Sequence, residues 1–230
     1  METALFPEAP SKGEQARRRL LLAALKKIGE KGYENASVRE IAEEAGQNVA
    51  AISYYFGNKE KLYAEVLDGI GDFLRGVLGP LAEETRLRLD AGTMDAAAAT
   101  AALKQILLLM LGRQLEGTEF AKIRLVMMRE QAAPSESFEI LYEKTLRPLH
   151  ELFCRLLAKA IDEDPESMVV MLRAHAIFGQ VLVFTICRST ILRRLGIEKF
   201  DTGHVAMISS ILDEHLDRLC GGGPFNKTLS

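Results

Sequence analysis

Apolar residues along this chain recur at the three-to-four-residue spacing of helices, and Val, Ile and Thr never alternate with polar residues for long. Leu21, Ala24, Leu25 and Ile28 fall on one face of a first helix. It is entered through Arg17-Arg18-Arg19 and closed by Lys31-Gly32, a basic last turn followed by a glycine stop. Ser37-Val38-Arg39-Glu40 is a capping box, in which the serine hydroxyl and the glutamate each satisfy a free N–H of the first turn. The short helix it opens turns Val38, Ile41, Ala42 and Ala45 inward and stops at Gly46. Asn48 caps a third helix over 49–56, and Asn58, after a break at Gly57, caps a longer one from 59 to about 78. Gly79-Pro80 predicts a bend or break there, because proline disrupts a continuing helix. Further helices are predicted over 94–111, 118–131, 137–162, 166–195 and 202–219. The expected fold class is all-α. Residues 1–11 and 221–230 are expected to be flexible tails, flanking a three-helix domain over 12–63 and a larger helical domain over 64–220.

Composition narrows the class. Hydrophobic residues at 48% and charged residues at 27% describe a globular chain rather than a disordered one. The formal charge of -3 is unevenly spread: residues 12–63 carry 10 Lys/Arg against 7 Asp/Glu, which permits a nucleic-acid partner at that end. Cys154, Cys187 and Cys220 lie far apart with no C-x-x-C pair, a pattern that argues against a disulfide scaffold or a zinc site and suits a reducing cytoplasm. No metal or cofactor is expected. The first ten residues hold two Glu, two Pro and no basic run of a signal peptide. The longest apolar runs, around 106–111 and 181–187, are shorter than the ~18 residues of a membrane span, so no membrane partner is expected. An enzyme acting through the helical C-terminal domain is the rival of a different class. It finds no G-x-S-x-G elbow, P-loop, G-x-G-x-x-G or H-E-x-x-H to support it.

Two short helices joined through a glycine, after a longer one, form a helix-turn-helix pattern. The second carries the polar chemistry: Gln47, Asn48, Ser53, Tyr54, Tyr55, Asn58 and Lys59 supply donors, while Ala50 and Ala51 leave room for close approach to a duplex. Such a helix can lie in the major groove and read base edges while its neighbours hold phosphates. Lys59, at a helix N-terminus, can add its charge to the helix dipole on one phosphate.

The run from Ser37 through Ile41-Ala42, Ala45-Gly46 and Tyr55-Phe56 to Lys59-Glu60-Lys61-Leu62 resembles the N-terminal signature of the TetR family of regulators. Gln47-Asn48 stand where members more often have Val-Ser, and Ser53 where they have tyrosine. The stretch from Ala45 to Glu60, together with Arg129-Glu130-Gln131, Arg147-Pro148-Leu149-His150 and the run from His175 to Gln180, is similar to the CecR (YbiH) subgroup. The resemblance implies an N-terminal helix-turn-helix DNA-binding domain and a helical ligand-sensing and dimerising domain. It implies phosphate contacts from Arg39, Tyr55 and Lys59, with Gln47, Asn48, Ala50, Ala51, Ser53 and Tyr54 at the groove or its edge. Packing of the small domain is the other reading for Tyr55, and still more for Phe56. A repressor released from operator DNA by a small molecule is the expected function, with an activator or dual regulator as the alternative.

Over 168–187 the sequence is apolar nearly all round, interrupted by Arg173, His175, Gln180 and Thr185, so it needs cover on more than one side. The resemblance implies a homodimer through this helix and the one over 205–219. Arg124, Met127, Met128, Phe153, His175, Phe178 and Phe184 are candidates for an effector pocket, apolar with a few polar anchors. Met and Phe at helical spacing also read as ordinary core. His150 and His175 read as hydrogen-bonded core or interface residues, since neither has a metal-ligand partner at close spacing.

Overall fold

Capping side chains fix where the N-terminal helices begin. Ser37 Oγ accepts from the Glu40 N–H at 3.2 Å while Glu40 accepts from the Ser37 N–H at 3.0 Å, opening α2 (Val38–Glu44). Asn48 Oδ1 accepts from the Ala50 N–H to open α3 (Val49–Phe56), and Asn58 Oδ1 accepts from the Lys61 N–H at the start of α4 (Lys59–Asp90). The computed structural model describes residues 5–8, 10–115 and 118–221, and no strand occurs among them. Helices α5 (Ala96–Leu115), α6 (Thr118–Ala132), α7 (Phe138–Leu141), α8 (Arg147–Ile161), α9 (Met168–Ile186), α10 (Arg188–Leu195) and α11 (Thr202–Gly221) follow, with a π-helical stretch, Tyr142–Leu146, between α7 and α8.

Two compact units result. The first comprises the described residues of Met1–Val77 and Gly117–Arg147. Its core gathers Leu20, Leu25 and Ile28 of α1 (Lys12–Lys31), Ile41 of α2, Ile52 and Phe56 of α3, Leu62 and Val66 of α4, and Ile123 and Val126 of α6. The second comprises Leu78–Glu116 and the described residues of Pro148–Ser230. There Leu103 and Ile106 of α5, Phe153 and Leu156 of α8, Val170 and Val181 of α9, and Leu212 and Leu216 of α11 form the core.

Several sequence expectations change. The supposed tail over 1–11 is partly built in: Leu5 and Phe6 are buried, and Arg18 Nε donates to the Phe6 carbonyl at 2.7 Å. A second capping box, between Ser11 and Glu14, starts α1 earlier than its apolar stripe does. Pro80 lies inside α4 without ending it. The carbonyl it leaves without an N–H partner, four residues back, belongs to Gly76, which is exposed to water like Pro80 itself. The helix expected over 137–162 is divided by the π-helical stretch, and the one over 166–195 is interrupted at Cys187. Residues 118–147, assigned by sequence to the C-terminal domain, pack within the first unit. The physical reason is local. Gly29 of α1 lets α6 approach so closely that a Cβ there would sit 3.4 Å from Leu125 Cβ. Arg129 of α6 donates through Nε to the Gly29 carbonyl at 2.9 Å and through Nη2 to the Glu30 carbonyl at 2.7 Å, capping the C-terminus of α1. Beyond Gly221 the expected C-terminal tail lies outside the described residues.

Candidate nucleic-acid interface

The turn between α2 and α3 is set by Gly46, which adopts φ +62°, a conformation that favours glycine. It lets the Gln47 N–H reach back to the Ala42 carbonyl at 2.9 Å, closing the end of α2 and turning the chain into α3. Ion pairs hold α2 to α1: Lys26 and Lys27 Nζ lie 2.5 and 2.8 Å from the two oxygens of Glu44, and Lys31 pairs with Glu40. These lysine hydrogen bonds push the Glu44 carboxyl down to about 2, and Lys31, then Ser37, push that of Glu40 down to about 2.

Helix α3 sorts its side chains by face. Ile52 and Phe56 are buried against α1 and α2, with Ala51 and Tyr55 half-buried beside them. Ala50, Ser53 and Tyr54 face outward, and Tyr54 is 82% exposed. That spacing of three and four residues is one continuous helix face. Gln47 is half-buried at its entrance, and Asn48 is exposed while capping. Tyr55 meets the Tyr54 ring edge-on at 4.9 Å, and its hydroxyl lies beside Gly13 of α1, 3.6 Å from where a Cβ would stand. Arg39 is exposed on α2.

Lys59 is half-buried rather than simply solvent-facing. Its ammonium donates to the Glu34 carbonyl at 3.3 Å and lies 4.4 Å from the centre of the Tyr33 ring. Nothing in the local sequence pattern singles out Tyr33, which sits in the connection between α1 and α2.

The effector candidates divide between the two units. Arg124, Met127 and Met128 are half-buried on α6 in the first unit, with Met127 against its core. In the second unit Phe153 and Phe178 are buried with ring centres 4.2 Å apart and planes tilted by 39°, and the His150 ring lies 5.1 Å from that of Phe178 and 4.6 Å from that of His175. Burial, then the neighbouring His175, pushes the His150 pKa down. His175 is exposed, with Nδ1 2.8 Å from the Met171 carbonyl, and Phe184 is half-buried. A separate groove of about 250 Å³ runs between α9 and α11 over α5, lined by Leu107, Arg173, Ile177, Gln180, His215 and Leu216 among others. None of the effector candidates named from the sequence lines it. His215 Nδ1 and Gln180 Oε1, 2.9 Å apart, bridge its two walls. No cluster of three or more potential metal-ligating side chains occurs among the described residues.

The profile of the bacterial regulatory proteins of the tetR family matches residues 20–66. That of the C-terminal domain of the HTH-type transcriptional dual regulator CecR matches residues 99–223. CecR of Shigella flexneri is 35% identical over 216 residues, 94% of this chain and 96% of that protein. The structure of HlyIIR, a hemolysin II transcriptional regulator, is similar with a TM-score of 0.58 at 28% identity, covering 88% of this chain and 99% of that one. A transcriptional regulator from Rhodococcus sp. Rha1 shares the fold, with a TM-score of 0.57 at 22% identity over 90% of this chain and 99% of the other. The chain belongs to the TetR family of DNA-binding transcription regulators, a non-enzymatic family, and carries a CecR-type C-terminal domain.

Proposed function

We propose that the protein is a cytoplasmic, homodimeric repressor that holds operator DNA through α3 and leaves it when a small molecule binds the C-terminal domain. The observation that carries the reading is the sorting of α3: Ala50, Ser53 and Tyr54 share an outward face while Ile52 and Phe56 anchor it from behind. A helix so anchored enters a major groove as a rigid body. In this reading Gln47, Asn48, Ala50, Ala51, Ser53 and Tyr54 meet the groove or its edge, and Arg39, Tyr55 and Lys59 meet phosphates.

The apolar surface supports a two-fold partner. Met168, Leu172, Val183 and Ile186 of α9 and Met207 and Ile211 of α11 are exposed, on the two helices whose other residues wall the groove. By length and composition α9 is apolar enough to cross a membrane, more than its separate apolar runs suggest. Yet one of its faces is already committed to the core, and Met207 and Ile211 share α11 with Asp213, Glu214 and Arg218. A mixed apolar and charged surface suits a protein partner better than lipid.

Two separate groups remain effector candidates of the proposal: Arg124, Met127 and Met128 in the first unit, and Phe153, His175, Phe178 and Phe184 in the second. Met127, Met128 and Phe184 have surface to offer directly, whereas Phe153, with none exposed, meets a ligand only if its core opens. A ligand releases DNA only through its differential affinity for the two states, typically ~1–3 kcal/mol of coupling. An activating or dual role is the second reading, favoured by the dual-regulator name of the Shigella flexneri relative.

Duplex affinity measured at several salt concentrations tests the DNA assignments. Lys59→Ala is expected to weaken binding to all sequences alike and lower the salt slope by about 1 per subunit, whereas Gln47→Ala is expected to shift which sequence is preferred. A Lys59 variant that altered sequence preference alone would contradict the assignment.

A further inference from the structure

Lys59 is the near end of a continuous line of contacts that reaches into α6. Its ammonium rests on the Tyr33 ring, and that ring stacks on Tyr63 of α4 at 4.9 Å and 25°. Tyr63 is 1% exposed, and its hydroxyl donates to Glu130 Oε1 on α6. Glu130, also buried, accepts at Oε2 from both the N–H and the hydroxyl of Ser135, each at 3.1 Å. Burial, reinforced by Glu130, pushes the Tyr63 pKa well above the ordinary tyrosine range, so its hydroxyl stays a donor. Beside it, Arg129 fastens the same turn of α6 to the end of α1.

We propose that Glu130, Tyr63 and Tyr33 form a positioning relay that sets the Lys59 ammonium for a DNA phosphate and ties its placement to α6. The proposal rests on the assignment of Lys59 to a phosphate. Stability alone does not require the arrangement, because a buried carboxylate and its hydroxyl partner are commonly replaced by apolar groups at little cost. What the polar link adds is register: it fixes α6 against α4 at one atom pair. Two stacked rings of few torsions then transmit that register rather than absorb it. Helix α6 lies within the stretch matched by the CecR C-terminal profile yet packs in the unit that holds α3. A displacement of α6 is thereby felt at a phosphate-binding lysine without any change in α3 itself.

The test is a double-mutant cycle read by duplex affinity and its salt slope, on a duplex selected from a random library with the wild-type protein. Tyr63→Phe keeps the ring and removes the donor. In the wild-type background it is expected to cost about three- to tenfold in affinity per subunit and to lower the salt slope, as Lys59→Ala does. In the Lys59→Ala background its cost is expected to fall within about twofold. Glu130→Gln, which still offers Tyr63 an acceptor, is expected to restore most of the affinity that Glu130→Ala loses. Equal costs of Tyr63→Phe in both backgrounds, or an unchanged salt slope, overturn the relay and leave the Lys59 assignment standing. If Lys59→Ala itself leaves the slope unchanged, the assignment fails and the relay with it. Should thermal unfolding show that Tyr63→Phe disrupts the first unit, Tyr33→Leu, half-buried in a connection, carries the same cycle. It is expected to cost about two- to fivefold with Lys59 present and nothing without it, and equal costs overturn the relay.

Discussion

Glu44 accepts from two lysines of α1 at once, and that decides how the DNA-binding helices respond to acid. Its carboxyl and that of Glu40 are each pushed from the ordinary 4.5 down to about 2, by lysine hydrogen bonds above all. The unfolded chain therefore binds protons that the folded one refuses between those values. Stability rises with pH across that window, is fully present above it, and is lost as pH falls through about 2. Both groups face solvent, so the contribution is screened by salt. Melting temperatures followed from about pH 5 to pH 2 are expected to fall more steeply for the wild type than for Glu44→Gln, with the curves converging at the acid end. Parallel curves would show that the Lys26–Glu44–Lys27 contacts do not survive in solution. Lys59 shows the limit of residue-scale reading. Its place at a helix start is legible in the Gly57-Asn58-Lys59 sequence, but its seat on Tyr33 depends on a tertiary contact with a residue 26 positions earlier.

At the scale of elements, what sequence makes legible are starts and stops with local chemistry. The box at Ser37, the cap at Asn48 and the turn at Gly46 act within five residues, and all three stand where the pattern places them. Features that depend on distant neighbours were hidden. Ser11 and Glu14 form the same kind of box, but it precedes the apolar stripe, and the burial of Leu5 and Phe6 with the Arg18 hydrogen bond makes that segment part of the fold. The π-helical stretch is held by Arg75 of α4, which donates to the Lys144 carbonyl at 3.0 Å and to Thr145 Oγ1 at 3.1 Å, contacts that no local pattern encodes. Gly69 offers a direct test of the Phe6 anchor, because a Cβ there would lie 2.4 Å from Phe6 Cε1. Alanine gains about 1 kcal/mol of helix propensity over glycine, while overpacking costs about 1–3 kcal/mol. Chemical denaturation is expected to find Gly69→Ala destabilised by about 1 kcal/mol in the wild type and stabilised by a similar amount in a Phe6→Ala background. Stabilisation in both backgrounds would mean that Phe6 does not pack on α4. Pro80→Ala belongs to the same scale: with the ring gone and an N–H restored at an exposed position of α4, the melting temperature is expected to rise. A fall would assign Pro80 a packing role that its exposure does not show.

For the whole molecule the decisive quantity is the number of recognition helices per assembly. One eight-residue helix with four exposed side chains, Val49, Ala50, Ser53 and Tyr54, reads few base pairs, and tight binding requires a second copy on a successive turn of the duplex, ~34–36 Å away or a multiple of that. Linking two half-site contacts makes the second intramolecular, which strengthens binding by roughly 10²- to 10⁴-fold over one head alone. Leu172 is the position at which to break that link. It is 64% exposed on α9, amid Met168 and Val169, and does not belong to the core cluster of the described residues of the second unit. Arginine there can extend into solvent from a monomer but sets two buried charges against each other across a two-fold interface. Sedimentation equilibrium is expected to find Leu172→Arg monomeric with its helical content intact, and duplex affinity is expected to fall on the order of 10²-fold or more. Full-strength binding by a proven monomer would mean that a single α3 suffices. A dimer that withstands the substitution would mean instead that the exposed apolar stripe of α9 and α11 faces some other partner.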